Sequence, residues 1–205
     1  MESTASIKAL TPMISESREH TDEELMARIK KEGDRSAFAE LVTRHTEKYY
    51  RLAYRMLVSR EEAEDLVQES FLMLWSKPNI WDSGRNAKFT TWFYRVVTNA
   101  CLDRKKKTTT LPLDAGYDHP DRSAGTEELV EMKRRKDDIE TYIAELPDSQ
   151  QTALALCFYE GISNKEAAEI MGVSVKAVES LLMRAKASLR RKITGTTQRE
   201  GLHDG

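Results

Sequence analysis

Between Ile162 and Lys192 the sequence runs ISNKEAAEIMGVSVKAVESLLMRAKASLRRK. Read as a pair of helices, it would carry Ser174, Lys176, Ala177, Glu179, Ser180 and Met183 or Arg184 on the outward face of the second. Lys176 and Ser180 can reach base edges or phosphates. Glu179 can accept from a cytosine amino group but repels phosphate. Arg184, Lys186, Arg190, Arg191 and Lys192 trail behind, suited to backbone contact. A charge run after a helix is often only a solvated face, so the group carries the reading rather than any single contact.

Covalent chemistry finds little support. Cys101 and Cys157 lie far apart, each inside an apparent helix, without a disulfide framework or metal spacing. They read as small buried hydrophobes of a reducing cytoplasm. His20, His45, His119 and His203 are scattered, so no metal site and no cofactor is expected. No phosphate loop or nucleophile elbow appears, and the chain does not read as an enzyme. The N-terminus lacks a basic and apolar leader, and no run reaches membrane-spanning length.

The elements that position the cations follow from caps and turns. Ser163 with Glu166 three residues on forms a capping-box pattern. Ala168 permits close helix approach, and Gly172 suits a turn needing positive φ. Ser174 can cap the second helix, with Val173 and Val178 as a hydrophobic staple. Val178 and Leu181 are the expected buried aliphatics. Together these match a DNA-reading helix-turn-helix; the competing reading is a helical hairpin that only packs.

The chain of 205 residues has a formal net charge of -2, which sits oddly with a DNA reader. The distribution resolves this. Residues 162–193 hold seven bases against three acids, and residues 88–107 hold six bases against one acid. The acids concentrate in the N-terminal lead, in residues 61–69 and in residues 108–145. Two modest basic patches on a linker gain through effective concentration when both engage one duplex.

Few glycines and prolines and long 3.6-residue periodicity give an all-α chain. Residues 1–20 read as a disordered lead. The first domain spans 21–107, with four helices. Thr21 and Glu24 form a capping box, Gly33 ends the first helix, and Asp34 and Ser59 cap the second and third. Pro78 stops the third. Residues 108–126 read as a flexible linker, and 127–193 as a second helical domain whose first helix covers about 127–145. The stretch SQQTALALCFYE reads as a further α-helix closed by Gly161, and residues 194–205 as a flexible tail. His45 and the cluster of Tyr49, Tyr50 and Tyr54 read as packing. Trp92 and Phe93 could stack on DNA, although helical spacing makes Trp92 core.

The chain resembles the bacterial extracytoplasmic-function sigma factors, group 4 of the sigma-70 family, over about residues 22–193. AEDLVQESFLMLW looks like the most recognisable segment of sigma region 2. FTTWFYRVVTNACLDRKKK looks like its promoter-melting helix, with Phe93 where leucine is usual. The second domain looks like sigma region 4, with Leu181 where many relatives carry arginine. The resemblance implies that Asp65, Leu66, Gln68, Glu69 and Phe71 bind the clamp coiled coil of the largest polymerase subunit, with Trp75 as a core anchor. It also implies contact with the flap of the second-largest subunit. Trp81, Asp82, Arg85, Asn86 and Lys88 would receive a flipped base of the -10 element. Arg95, Asn99, Arg104 and Lys105, with Lys88, would hold the freed strand. Ser174, Lys176, Ala177, Glu179, Ser180, Arg184 and Lys186 would read the -35 element. Promoter DNA, core RNA polymerase and an anti-sigma factor are the implied partners, without membrane insertion. The competing function is a free-standing helix-turn-helix regulator, which leaves the first domain unexplained.

Overall fold

This computed structural model describes residues 20–82, 84, 88–110 and 138–200, without the side chains of 108–110 and 195–200. The expected lead before residue 20, the linker beyond Thr110 and residues 201–205 lie outside the described residues. Among the described residues the regular structure is all helical.

Thr21 opens α1 (Asp22–Glu32). Its hydroxyl accepts from the Glu24 N–H, and Glu24 accepts from the Thr21 N–H, so both halves of the capping box form. Gly33 ends the helix at φ 61°. Asp34 caps α2 (Arg35–Leu57) by accepting from the Ser36 and Ala37 N–H groups. Ser59 caps α3 (Arg60–Ser76) through the Glu62 N–H. A short 3-10 turn, Pro78–Ile80, leads toward α4 (Phe89–Thr110). α4 runs three residues past its expected end at 107. Its lysine-rich last turns face the negative end of the helix dipole, which favours continuation.

The core of these four helices is aromatic. Tyr49 on α2 meets Phe93 at 4.7 Å and Tyr94 at 4.9 Å, and Phe71 on α3 meets Phe93 at 4.8 Å. Phe89 stacks on Phe93 at 5.5 Å. Phe93 is therefore fully buried and offers no face to DNA, a correction to the sequence reading. Its ring bridges α2 and α3, through Tyr49 and Phe71, in one cluster. Trp92 is only partly buried against this cluster. Tyr50 and Tyr54 stack on each other at 6.1 Å beside it. Trp75 packs on Phe38 at 4.9 Å, as a partly buried anchor. His45 is buried, with Nε2 2.8 Å from Asp22 Oδ2, and so ties α2 to the start of α1.

The second half begins with α5, described over 138–144. Then come α6 (Asp148–Leu154), α7 (Asn164–Met171) and α8 (Val175–Glu200). α8 continues through much of the expected flexible tail, and Thr194 Oγ1 donates back to the Arg190 carbonyl. SQQTALALCFYE does not stay α-helical. Its second half, Ala155–Tyr159, is a π-helical turn. The Glu160 N–H donates to the Ala155 carbonyl five residues back, at 3.1 Å. This extra residue per turn leaves Phe158 70% exposed and turns Glu160 inward. Simple 3.6-residue periodicity could not anticipate it.

The two halves share a core. Leu156, Ala168, Ile170 and Val178 join the same buried cluster as Tyr49 and Phe93. A smaller cluster of Leu146, Leu154 and Ala185 closes the far side of the second domain.

Candidate nucleic-acid interface

On α3 the sequence-chosen residues separate by face. Asp65, Gln68 and Glu69 are exposed, whereas Leu66 and Phe71 are buried and support the helix from beneath. Leu72 was missed by sequence reasoning. It is 61% exposed and sits four residues after Gln68, on the same face. An apolar side chain among acids on one helix face is the signal that marks it.

On α4 the exposed side carries Arg95, Asn99, Asp103, Lys106 and Lys107. Arg104 turns toward α3. Its Nη1 donates to the Glu62 carbonyl at 2.9 Å and its Nη2 to Glu69 Oε2 at 2.8 Å. Glu69, expected from the sequence on the docking face, is thus paired with Arg104, expected on the freed strand. Cys101 lies between these faces, where burial pushes its thiol up to about 12 and keeps it protonated.

The second domain covers part of α4. Arg95 Nε donates to the Ile170 carbonyl at 3.2 Å, and its Nη2 donates to the Glu169 carbonyl. These carbonyls close the C-terminus of α7, where a cation is favoured. Thr91 donates to Glu166 Oε1 at 3.4 Å. That carboxylate therefore serves the interdomain contact, and only the Ser163 half of the expected capping box forms. Lys105 donates to Gln151 Oε1 at 2.8 Å and pairs with Asp148. Glu160, with its side chain 4% exposed, accepts from the Tyr94 hydroxyl at 3.3 Å and lies 3.6 Å from Arg51 Nη2. Burial first, then the Glu160 charge, holds the Tyr94 phenol well above its usual range, so it acts as a donor.

The loop before α4 is partly described. Trp81 is buried, edge-on to Phe89 at 5.9 Å. In this arrangement its ring does not face solvent, so contact with a base requires the loop to rearrange. Asp82 is exposed, and its Oδ1 accepts from the Gly84 N–H at 2.9 Å. Lys88 is exposed at the entry to α4. Arg85 and Asn86 lie outside the described residues.

The turn between α7 and α8 forms as the spacing requires. Gly172 adopts φ 67°, and Ser174 Oγ accepts from the Ala177 N–H. Two details differ from expectation. Val173 is 41% exposed, so the staple onto buried Val178 shields it little. Leu181 is only partly buried; Leu182, Ala185 and Leu189 continue the inward stripe begun by Val178. The 3.6-residue period favours steps of four and three, which lead from 178 to 182 and 185. Ser174, Lys176, Glu179, Arg184 and Lys186 are exposed, and Ala177 and Ser180 are half-buried. Arg184 donates to Ser180 Oγ at 2.8 Å, so these two form one unit on the outward face.

Comparison with known proteins gives these surfaces a family. Sigma-70 region 2 matches residues 41–110, and Sigma-70, region 4 matches residues 136–189. The ECF RNA polymerase sigma factor SigW of Bacillus subtilis is 34% identical over 180 residues, covering 80% of this chain and 92% of that protein. The ECF RNA polymerase sigma-E factor of Haemophilus influenzae is 30% identical, covering 84% and 95%. Among solved structures, CnrH in complex with the cytosolic domain of CnrY has a TM-score of 0.63 at 25% identity, covering 85% of this chain and 97% of that one. The fold is shared with RpoE of Bartonella quintana, solved with the anti-sigma factor NepR, at a TM-score of 0.59 and 19% identity, covering 77% and 96%. With both regions in order and relatives matched almost end to end, the chain belongs to the extracytoplasmic-function sigma factors of the sigma-70 family.

Proposed function

We propose that this sigma factor docks on core RNA polymerase through α3 and engages promoter DNA through α4 and α8. The carrying observation is the separation of charge within one domain. α3 presents Asp65, Gln68 and Glu69 around exposed Leu72, while α4 presents Arg95, Asn99 and Lys106. An acidic face with an apolar centre suits a basic protein surface, and it repels DNA. A cationic face beside it suits the freed strand of a -10 element. Ser174, Lys176, Ala177, Glu179, Ser180, Arg184 and Lys186 read the -35 element from the second domain. Trp81, Asp82, Arg85, Asn86 and Lys88 serve the flipped base once the loop rearranges, with Arg104 and Lys105 on the backbone.

Catalysis belongs to the polymerase. The flap of its second-largest subunit is a further contact of the second domain. The similarity to sigma factors solved with anti-sigma partners supports an anti-sigma factor as regulator, in an envelope or stress response in the cytoplasm. No described helix is long and apolar enough to cross a membrane.

A gel-shift assay tests the reading. Core polymerase with this chain should retain promoter duplex, and the chain alone should not. Retention by the chain alone, unchanged by core, would favour a free-standing regulator.

A further inference from the structure

α8 turns Val178, Leu182, Ala185 and Leu189 toward the protein. Met183 lies on the opposite side and is 65% exposed. A lone exposed methionine is ordinary on a protein surface. What sets this one apart is the row in which it stands.

Counted from Lys176, the residues Glu179, Ser180 and Met183 follow at three, four and seven positions. A helix lying in the major groove presents its base-facing side chains at these steps. The row covers about 10 Å of rise, enough to follow about three base pairs. Two residues could end it, Met183 or Arg184. Arg184 turns back to the Ser180 hydroxyl through Nε and Nη2, which leaves the place to Met183.

The charges around the row separate base edges from phosphates. Arg184, Lys186 and Arg190 are exposed about Met183 and suit the DNA backbone. Glu179, one turn before Met183, is also exposed. An acid repels phosphates, so this line of the helix suits base edges. Among the groups that base pairs show in the major groove, the thymine C5-methyl is the apolar one.

Resting on the -35 reading above, we infer that Met183 is a specificity-determining residue that reads a thymine methyl in the -35 element. Contact takes apolar surface of both groups out of water, and the flexible thioether chain adapts to the methyl. The neighbouring cations attract every sequence alike, whereas Met183 discriminates.

The test uses holoenzyme assembled from core polymerase and the full chain. Duplexes retained from a pool randomised over the -35 block give the preferred sequence. Each thymine of that block, on either strand, is then replaced singly by deoxyuridine, which removes only the methyl. One replacement should lower wild-type retention by about fourfold, the worth of one buried methyl. Met183→Ala should lower retention of the thymine duplex by a similar factor and should not feel that replacement. Its salt dependence should match the wild type, because no phosphate contact is lost. Met183→Leu, apolar and of similar volume, should keep the methyl sensitivity. Full methyl sensitivity in Met183→Ala overturns the inference. So does wild-type retention indifferent to every replacement, or a preferred block of G·C pairs alone. Weaker binding of Met183→Ala to core polymerase without DNA also overturns it, because Met183 would then serve a protein contact. Wild-type holoenzyme that enriches no sequence in this block removes the -35 reading itself, and the role of Met183 with it.

Discussion

Arg95 on α4 donates through Nε to the main-chain carbonyl of Ile170 on α7, at 3.2 Å. A side chain assigned to the freed DNA strand therefore closes the C-terminus of a helix in the other domain. Both engagements use the same guanidinium, so strand contact requires the domains to part at this point. Arg95→Ala should weaken the interdomain contact by about 1 kcal/mol, the usual scale for a lost hydrogen bond. It should also reduce strand binding by the holoenzyme. Fluorescent labels on Lys107 and Lys165, each introduced through a cysteine, should report a longer mean distance in this variant. An unchanged distance would mean that the remaining contacts hold the closure without Arg95: Thr91 with Glu166, Tyr94 and Arg51 with Glu160, Lys105 with Gln151 and Asp148, and the shared apolar core.

The pair of Glu69 and Arg104, at 2.8 Å, separates two charge reversals that sequence treats alike. Asp65→Lys should abolish retention of core polymerase with little change in stability. Glu69→Lys should abolish it too, and should also place a cation against Arg104. Because Glu69 is 68% exposed, that stability cost should stay below about 1 kcal/mol. Pull-down and urea unfolding on both variants check this. Survival of core binding in both would contradict the docking face.

Val58 ends α2 at φ 59°, a left-handed conformation that a β-branched residue adopts at a cost of about 1–2 kcal/mol. Glycine removes that strain and returns part of the gain as chain entropy. Val58→Gly should therefore stabilise the protein by about 0.5–1 kcal/mol. A higher urea midpoint with unchanged slope is the expected result.

Acid should weaken the α1–α2 corner. Hydrogen bonds from Ser36, Ala37 and Arg28 hold the Asp34 carboxyl well below its ordinary value. Burial alone would raise Asp22, but His45 and Arg44 hold it below its ordinary value as well. Both folded-state values are depressed. The stability they contribute is present above the unfolded value, about pH 4, and is lost as pH falls through the folded values. Urea unfolding at neutral and acid pH should show less stability in acid. Asp34→Asn should narrow that gap.

Much of this was legible in the chain. Thr21, Asp34, Ser59, Gly33, Gly172 and Ser174 act through local backbone chemistry, so caps and turns read directly from sequence. What escaped depends on register or distance. The π-turn at Ala155–Tyr159 shifts the helical period, which exposes Phe158 and buries Glu160. The burial of Trp81 and Phe93 depends on partners in other helices. The occupation of Arg95 by α7 joins residues 75 positions apart, beyond the reach of any local pattern.

Promoter-dependent transcription tests the central claim most directly. Core polymerase with this chain should transcribe from a library of duplexes randomised in two blocks. The account predicts that the transcribed duplexes share sequence in a -35 block and a -10 block, and that Asp65→Lys abolishes this output. Transcription no higher than that of core polymerase alone, or output indifferent to both blocks, would contradict it.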